Sequence, residues 1–346
     1  MADLLDERPN LILLKEVCSG NGLEVNLAYL SKRLKRHRNT IRERVRSLLS
    51  HGVVDRPVAP FLALFRECPL LVVVYADLPE DEKVSKWIRE DGSVFGAYRV
   101  REGEYNMMLF ELQKDVWSYH VWRDALVRDG KIPERGERTP STVLYLSNNL
   151  IVKYEPNAAI DLIEEEFAKG EEIEINGYVL DELGLKVLRH LLNGDAVRVN
   201  ENFLSKKIGI HRSTVQRRIL KMQEEGLIHR PLCRFPLFFT PPNFLLIFSM
   251  LEVKKPQQFL NDIAKDPHVS LAYKISEGRY NMLLFESHMN IEDYLHWERT
   301  YEDKYPGCFG SIKNSYLSPK MTISIDQQKI SLGLIKDRLR RCTRPN

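Results

Sequence analysis

Apolar positions near the start of the chain recur at helical spacing. Leu34, Ile41, Val45 and Leu48 share one face, and Arg38, Asn39, Arg42 and Arg46 share the opposite one. The pattern predicts three helices, at about 10–19, 26–36 and 38–51, with Asn26 as a cap for the second and Gly52 ending the third. The β-branched stretch VVDRPV follows. The pattern returns later, with helices at about 181–192, 200–208 and 212–225, an apolar stripe of Ile208, Val215, Ile219 and Met222, and Gly226 at the end. After each helical set the period changes. The first set leads into a strand at 69–77, a helix at about 80–91, strands VFGAYRV and YNMMLFEL flanking a turn at Glu102–Gly103, a helix at about 115–128 and a strand VLYLSNNLIV. That order is β-α-β-β-α-β. Its second occurrence has strands near 243–253, 269–276, 279–286 and 310–325, with helices near 256–265 and 290–304.

The two halves match residue by residue. SKRLKRHRNTIRERVRSLLSHG at 31–52 aligns without a gap on SKKIGIHRSTVQRRILKMQEEG at 205–226, an offset of 174. YRVREGEYNMMLFE from Tyr98 aligns on YKISEGRYNMLLFE from Tyr273, an offset of 175. Self-similarity at a fixed spacing reads as a tandem duplication. The fold expected is α+β: two winged helix-turn-helix domains, each followed by a ferredoxin-like βαββαβ domain. The boundaries read as 1–62 and 63–155 for the first pair, a linker at 156–179, 180–236 and 237–328 for the second pair, and a basic tail at 329–346. The two βαββαβ sheets are expected to pair, which hides edges and apolar faces that one module would expose.

Composition is that of an ordinary globular chain, 43% hydrophobic and 29% charged, and 51 Lys and Arg against 48 Asp and Glu leave a net charge of only +3. The asymmetry is local. Residues 31–46 hold eight cations, Lys32 through Arg46, against the single acid Glu43, which concentrates positive field on one face. The charged amino end is not a secretory signal, and no apolar run approaches the roughly 20 residues of a membrane helix. Cys18, Cys68, Cys233, Cys308 and Cys342 form no close pair, so neither a disulfide framework nor a zinc motif is suggested. A cytoplasmic protein with no membrane association is expected. Phosphate-loop, zincin, nucleophile-elbow and dinucleotide motifs are missing, so no cofactor and no common enzyme class is expected.

The candidate chemistry is nucleic-acid contact. An α-helix fits the major groove, where Arg reads guanine and Asn or Gln reads adenine. The candidate readers are Arg38, Asn39, Arg42 and Arg46 in the first third helix, and Arg212, Ser213, Gln216 and Arg217 in the second. Thr40 and Thr214 are placed to meet phosphate, and Lys32, Lys206, Arg56 and Arg230 to hold the backbone. His37 and His211 read as residues of the turn before each third helix, hydrogen-bonded locally. Trp87, Trp117, Trp122 and Trp297 read as packing residues. The repeated EGxYNM hairpin reads as strand core around a tight glycine turn. It is also a candidate effector or tetrapyrrole site made of Tyr98, Arg101, Gly103, Tyr105 and Asn106, and of Tyr273, Gly278, Tyr280 and Asn281.

The module order and LSKKIGIHRSTVQRRILKMQEEGLI resemble the feast/famine regulators, the leucine-responsive protein/AsnC family. The resemblance implies sequence-specific binding of double-stranded DNA, transcriptional regulation, a small-molecule effector and homo-oligomers. One chain would then be a covalent pseudo-dimer reading an asymmetric operator. The first copy departs at Lys35, where the second has Gly209, and both copies have Tyr-Asn where the family often has an aromatic followed by Asp. The same architecture is similar to that of the siroheme decarboxylases, whose hairpin resembles His-x-Tyr-x-x-Arg-x-x-x-Tyr-Asn. Tyr98, Arg101, Tyr105 and Asn106 fit that spacing. Gly96 and Leu271 stand at the histidine position, and Ser276 replaces the arginine in the second copy. A tetrapyrrole enzyme is the alternative that this second resemblance implies.

Overall fold

Each half of the chain runs through the same succession of elements. A computed structural model describes residues 4–60, 64–100, 105–129, 141–147, 150–276, 278–317, 323, 325–326 and 328–342. The first half begins with α1 (Arg8–Cys18), β1 (Leu23–Val25), α2 (Leu27–Leu34), α3 (Arg38–Ser50) and the single turn α4 (Leu64–Glu67). It continues through β2 (Leu70–Ala76), α5 (Glu82–Glu90), β3 (Val94–Arg99), β4 (Met107–Gln113), α6 (Val116–Arg128) and β5 (Ser141–Ser147). The connection holds β6 (Ile151–Tyr154), α7 (Ile160–Ala168) and the two-residue strands β7 (Glu174–Ile175) and β8 (Tyr178–Val179). The second half repeats the plan with α8 (Glu182–Leu192), β9 (Val197–Val199), α9 (Glu201–Ile208), α10 (Arg212–Glu224) and a short turn α11 (Pro236–Phe239). Then come β10 (Leu245–Val253), α12 (Pro256–Ile263), β11 (Val269–Lys274), β12 (Met282–His288), α13 (Ile291–Lys304), β13 (Phe309–Leu317) and finally α14 (Lys329–Arg341). These are two winged helix-turn-helix domains, each followed by a ferredoxin-like domain.

The elements gather into two units. One holds both helical domains and the last helix (Met1–Glu67, Leu180–Arg234, Asp326–Asn346). The other holds both sheets (Cys68–Val179, Phe235–Ile325).

In the helical unit the copies pair about a pseudo-two-fold. β1 and β9 run antiparallel, with Glu24 opposite its own counterpart Arg198, and the two form an ion pair. Asn26 donates its N–H to Ala196 O and Asn200 donates to Gly22 O, a reciprocal exchange at 2.6 and 2.7 Å. Farther along, Val58 and Leu232 exchange both backbone hydrogen bonds, again as counterparts. Arg44 pairs with Asp181 at the start of α8. Its counterpart Arg218 pairs with Glu7 at the start of α1 and donates to Asn10 Oδ1 at 2.7 Å. The VVDRPV segment therefore meets its counterpart in the other copy, which gives its backbone groups the partners a strand needs. The C-terminal helix α14 buries Ile330 and Ile335 and packs on α1, with Arg338 bonded to Glu67 and to Asp6.

In the sheet unit the strand orders are β3-β4-β2-β5 and β13-β10-β12-β11-β6. The period of two sends alternate residues to opposite faces. Val72, Val74, Met107 and Leu109 face the helices of the first module, and Ile247, Leu251, Met282 and Leu284 face those of the second. The other faces meet. Phe110 lies 5.6 Å from Phe248 and 5.2 Å from Phe285, and Tyr75 shares a hydrogen bond with Ser315 across the seam. Phe238, from the α11 turn, stacks on Phe285 with centroids 4.2 Å apart.

The stretch VLYLSNNLIV is not one strand. Its first part lies in β5 beside β2, and its second part is β6, which crosses to pair with β11 of the other sheet. The exchange is returned at the far end, where Ile323 donates its N–H to Ala97 O on β3. Each module thus supplies backbone to the other's outer strand, so an edge that would otherwise be open gains partners. Periodicity alone hid this, because a strand changing sheets keeps its apolar alternation.

Lys35 ends α2 in the left-handed region at φ +52°, where the second copy has Gly209 at φ +76°. A Cβ in that region costs about 1–2 kcal/mol. Lys35→Gly is expected to raise stability by about 1 kcal/mol, read as a higher urea midpoint with an unchanged m-value. A lower midpoint would show that the lysine side chain contributes something the strain argument omits.

Candidate nucleic-acid interface

The third helices are positioned by identical local devices. Ser31 Oγ donates to Arg36 O, and Ser205 Oγ donates to Ile210 O, both at 2.6 Å, closing the turn between second and third helices. His37 and His211 are the caps of α3 and α10, and each ring accepts the N–H two residues on, at 3.3 Å. Both histidines therefore have the local role expected of them. Ile41, Val45 and Leu48 anchor α3 in the domain core, and Val215, Ile219 and Met222 anchor α10. The opposite faces are open. Arg38, Asn39, Thr40, Arg42 and Arg46 are exposed, as are Arg212, Ser213, Gln216 and Arg217, while Thr214 is half-buried. Lys32, Lys206, Arg56 and Arg230 are exposed as well.

Neither third helix has an acidic residue in its first turn. The positive end of each helix dipole is thus unopposed, which suits an incoming anion. Arg42 donates to Asn39 Oδ1 at 3.0 Å, so two candidate readers in the first copy hold each other. In the second copy Arg212 is bonded through Nε to Glu201 at 2.8 Å, a contact that a phosphate would have to displace. Beside Arg56, burial raises the Asp55 carboxyl above its ordinary pKa, and the charge of Arg234 opposes that shift.

The hairpin residues divide differently. Arg101 and Gly103 lie outside the described residues. Asn106 bridges to the chain after β2, accepting Leu78 N–H at 2.9 Å and donating to Leu78 O at 2.7 Å. Asn281 does the same to Val253, at 2.8 and 2.7 Å. Both asparagine side chains are thereby engaged by backbone and act as clamps. Gly278 has φ +93°, which explains the glycine. Tyr98 and Tyr273 are 3% and 2% exposed, and burial pushes both phenols well above their ordinary pKa. Tyr105 is half-buried with its ring 5.8 Å from Tyr75. Tyr75 lies under Lys313 Nζ at 4.7 Å, and burial lifts its phenol to about 12. Tyr280 is half-buried. Gly96 has no room for a larger side chain without movement of Phe110, since an added Cβ would come within 3.3 Å of that ring.

Trp87 and Trp297 pack as expected, and Trp122 lies against the same core as Trp87. Trp117 does not: it is 75% exposed. It lies near the start of α6, on the face turned from the sheet, where its apolar character gave no warning.

A cluster the sequence analysis missed lies in the second module: Asp266, His268, Glu286, His288 and Asp293. Burial opposes the charge on His268, but hydrogen bonds to Asp266 and Asp293 more than offset it and push its pKa up to about 9. Aligning the halves at the 175 offset would have exposed it, since the first copy has Ser93, Gln113 and Ser118 where the second has His268, His288 and Asp293.

No protein-family model matches the sequence, and no curated protein matches it. Solved structures do. The siroheme decarboxylase NirDL, in co-complex with an iron-uroporphyrin III analogue, matches over 95% of this chain and 98% of its own at 10% identity, with a TM-score of 0.50. An AsnC family transcriptional regulator from Agrobacterium tumefaciens matches over 40% of this chain and 89% of its own at 23% identity, with a TM-score of 0.29. The transcriptional regulator NMB0573 from Neisseria meningitidis, solved as an L-Met complex, matches over 40% and 88% at 13% identity, with a TM-score of 0.30. The first likeness shows a fold shared along nearly the whole chain, and at 10% identity it shows the fold alone. Among the described residues no helix is long and apolar enough to cross a membrane.

Proposed function

We propose that this protein is a sequence-specific regulator of transcription that binds double-stranded DNA as a covalent pseudo-dimer. The observation that supports this reading is the pair of α3 and α10, related by an intramolecular pseudo-two-fold, each anchored on one side and open and cationic on the other. The two open faces differ, Arg38-Asn39-Thr40 against Arg212-Ser213-Thr214 and Arg42 against Gln216, so the operator has two unlike half-sites. Genomic-fragment selection followed by footprinting tests the proposal. One protected site with dissimilar halves is expected, and protection of a perfect palindrome would contradict the asymmetry. Gln216→Ala is expected to cost about 1–3 kcal/mol at a single adenine position. Equal weakening on every sequence would remove Gln216 from the readers.

The tetrapyrrole alternative is disfavoured by the side chains at the hairpin. Gly96 and Leu271 occupy the histidine position, Tyr98 and Tyr273 are covered, and Asn106 and Asn281 are engaged by backbone. Incubation with siroheme is expected to leave its visible spectrum unchanged. A stoichiometric spectral shift would revive that reading.

A further inference from the structure

We propose that the second βαββαβ module carries a metal site for a divalent ion of the zinc class, made by His268 Nε2, His288 Nδ1 and Asp293. One donor atom from each of the three side chains lies within 4.8 Å of the other two. Two of the separations, His268 Nε2 and His288 Nδ1 to the carboxylate oxygens of Asp293, are 3.6 Å each. Donors around a tetrahedral ion at metal–ligand distances near 2.0–2.1 Å stand roughly 3.4 Å apart.

The orientation of the donors points to the same conclusion. His268 Nδ1 is 2.9 Å from Asp266 Oδ1, so its N–H is directed there and Nε2 is left facing Asp293, where a bound ion would take the place of the ring's second proton. Asp266 is itself fixed by Trp297 Nε1 and the Tyr301 hydroxyl, both donating at 2.7 Å. His288 Nε2 lies 3.2 Å from Glu286 Oε2, which leaves Nδ1 facing inward. That nitrogen is fully buried and has no hydrogen-bond partner. Asp293 accepts Met289 N–H at 3.0 Å, which sets its carboxylate at the start of α13. Each imidazole thus has its outer nitrogen on a carboxylate and its inner nitrogen facing a shared acid, the arrangement that fixes ring tautomers in metal sites. Two nitrogens and one oxygen suit zinc and its neighbours in the first row better than magnesium or calcium. A cleft bordered by Asp266, His268, Asp293 and His296 gives an entry path and leaves room for a fourth ligand from solvent.

The first module supplies the contrast. It keeps the scaffold, with Trp122 Nε1 donating to Asp91 at 2.9 Å and Gln113 donating to Glu111 at 3.2 Å, but it has Ser93, Gln113 and Ser118 at the three donor positions. The fold therefore accommodates those residues, and packing does not require histidines here.

The test uses the full, untagged chain stripped with chelator and titrated with Zn²⁺ by calorimetry, and with Co²⁺ by visible absorption. One equivalent of high-affinity binding and the bands of a low-symmetry cobalt site are expected. His288→Gln and Asp293→Ser install the residues of the first module, and each is expected to weaken Zn²⁺ binding at least 100-fold with unchanged circular dichroism. Asp266→Asn, which removes only the orienting carboxylate, is expected to weaken it about 10–100-fold. Should His288→Gln fail to fold, Asp293→Ser, at a partly exposed position, still decides the matter. Absence of stoichiometric Zn²⁺ binding by the unaltered chain, or equal binding by Asp293→Ser, overturns the proposal.

Discussion

Replacing Arg38, Arg42 and Arg46 together with alanine is expected to flatten the salt dependence of DNA binding by up to about 2.7 in the slope of log K against log salt, the full value being reached if each arginine neutralises a phosphate beside the base it faces. Each phosphate neutralised by a cation releases counterions and contributes roughly 0.9 to that slope on duplex DNA. The three arginines are exposed on α3 and do not anchor the helix, whose core contacts run through Ile41, Val45 and Leu48. The triple variant should therefore fold normally, which separates a binding defect from a stability defect. The matching set in the second copy is smaller, because Gln216 stands in place of Arg42 and Leu220 in place of Arg46. Alanine at Arg212 and Arg217 should change the slope by less, and Arg212 must in any case leave Glu201 before it meets phosphate. Equal slopes for the triple variant and the unaltered protein would take α3 off the DNA.

Much of this architecture is legible in the sequence, and the reasons are local. The caps Asn26, Asn200, Asp115 and Asn290, the terminators Gly52 and Gly226, and the apolar stripes of α3 and α10 each act within a few residues, so the helices lie close to where periodicity puts them. Pairing between distant segments is less legible. Nothing near Ile151–Tyr154 announces that these residues leave one sheet for another, since the choice depends on the open edge of β11, more than a hundred residues away. The exchange of Arg44 with Asp181 and Arg218 with Glu7 is similar. Each partner looks like an ordinary charged residue until the pseudo-two-fold brings the copies together. At the hairpin, the repeated Tyr-Asn is as good a signature for a clamp as for a ligand site. Only the bonds to Leu78 and Val253 give the asparagines a structural task. The histidines of the second module were hidden because shared residues drew attention, whereas the informative feature was a difference between copies.

Phe110→Ala is expected to destabilise both βαββαβ modules at once, by about 3–5 kcal/mol, the range for emptying a buried phenylalanine site. Phe110 has no exposed surface and belongs to the first module, yet its ring contacts Phe248 and Phe285 of the second, as well as Phe238 beside them. Phe238 is delivered by a turn in which Leu237, Phe238 and Phe239 all have positive φ. Such backbone costs about 1–2 kcal/mol per residue and persists only where burial offsets it. Removing the Phe110 ring withdraws a neighbour of Phe238 and weakens that offset, so the loss should lie toward the upper end of the range. The exchanged strands couple the modules further, β6 onto β11 and Ile323 onto Ala97. Hydrogen exchange is the appropriate measurement, because it reports each strand separately. Protection should fall together in β2 and β4 of the first sheet and in β10 and β12 of the second. If exchange accelerates in the first sheet while β10 and β12 keep their protection, the two sheets fold as separate bodies. The aromatic seam would then be contact without cooperativity.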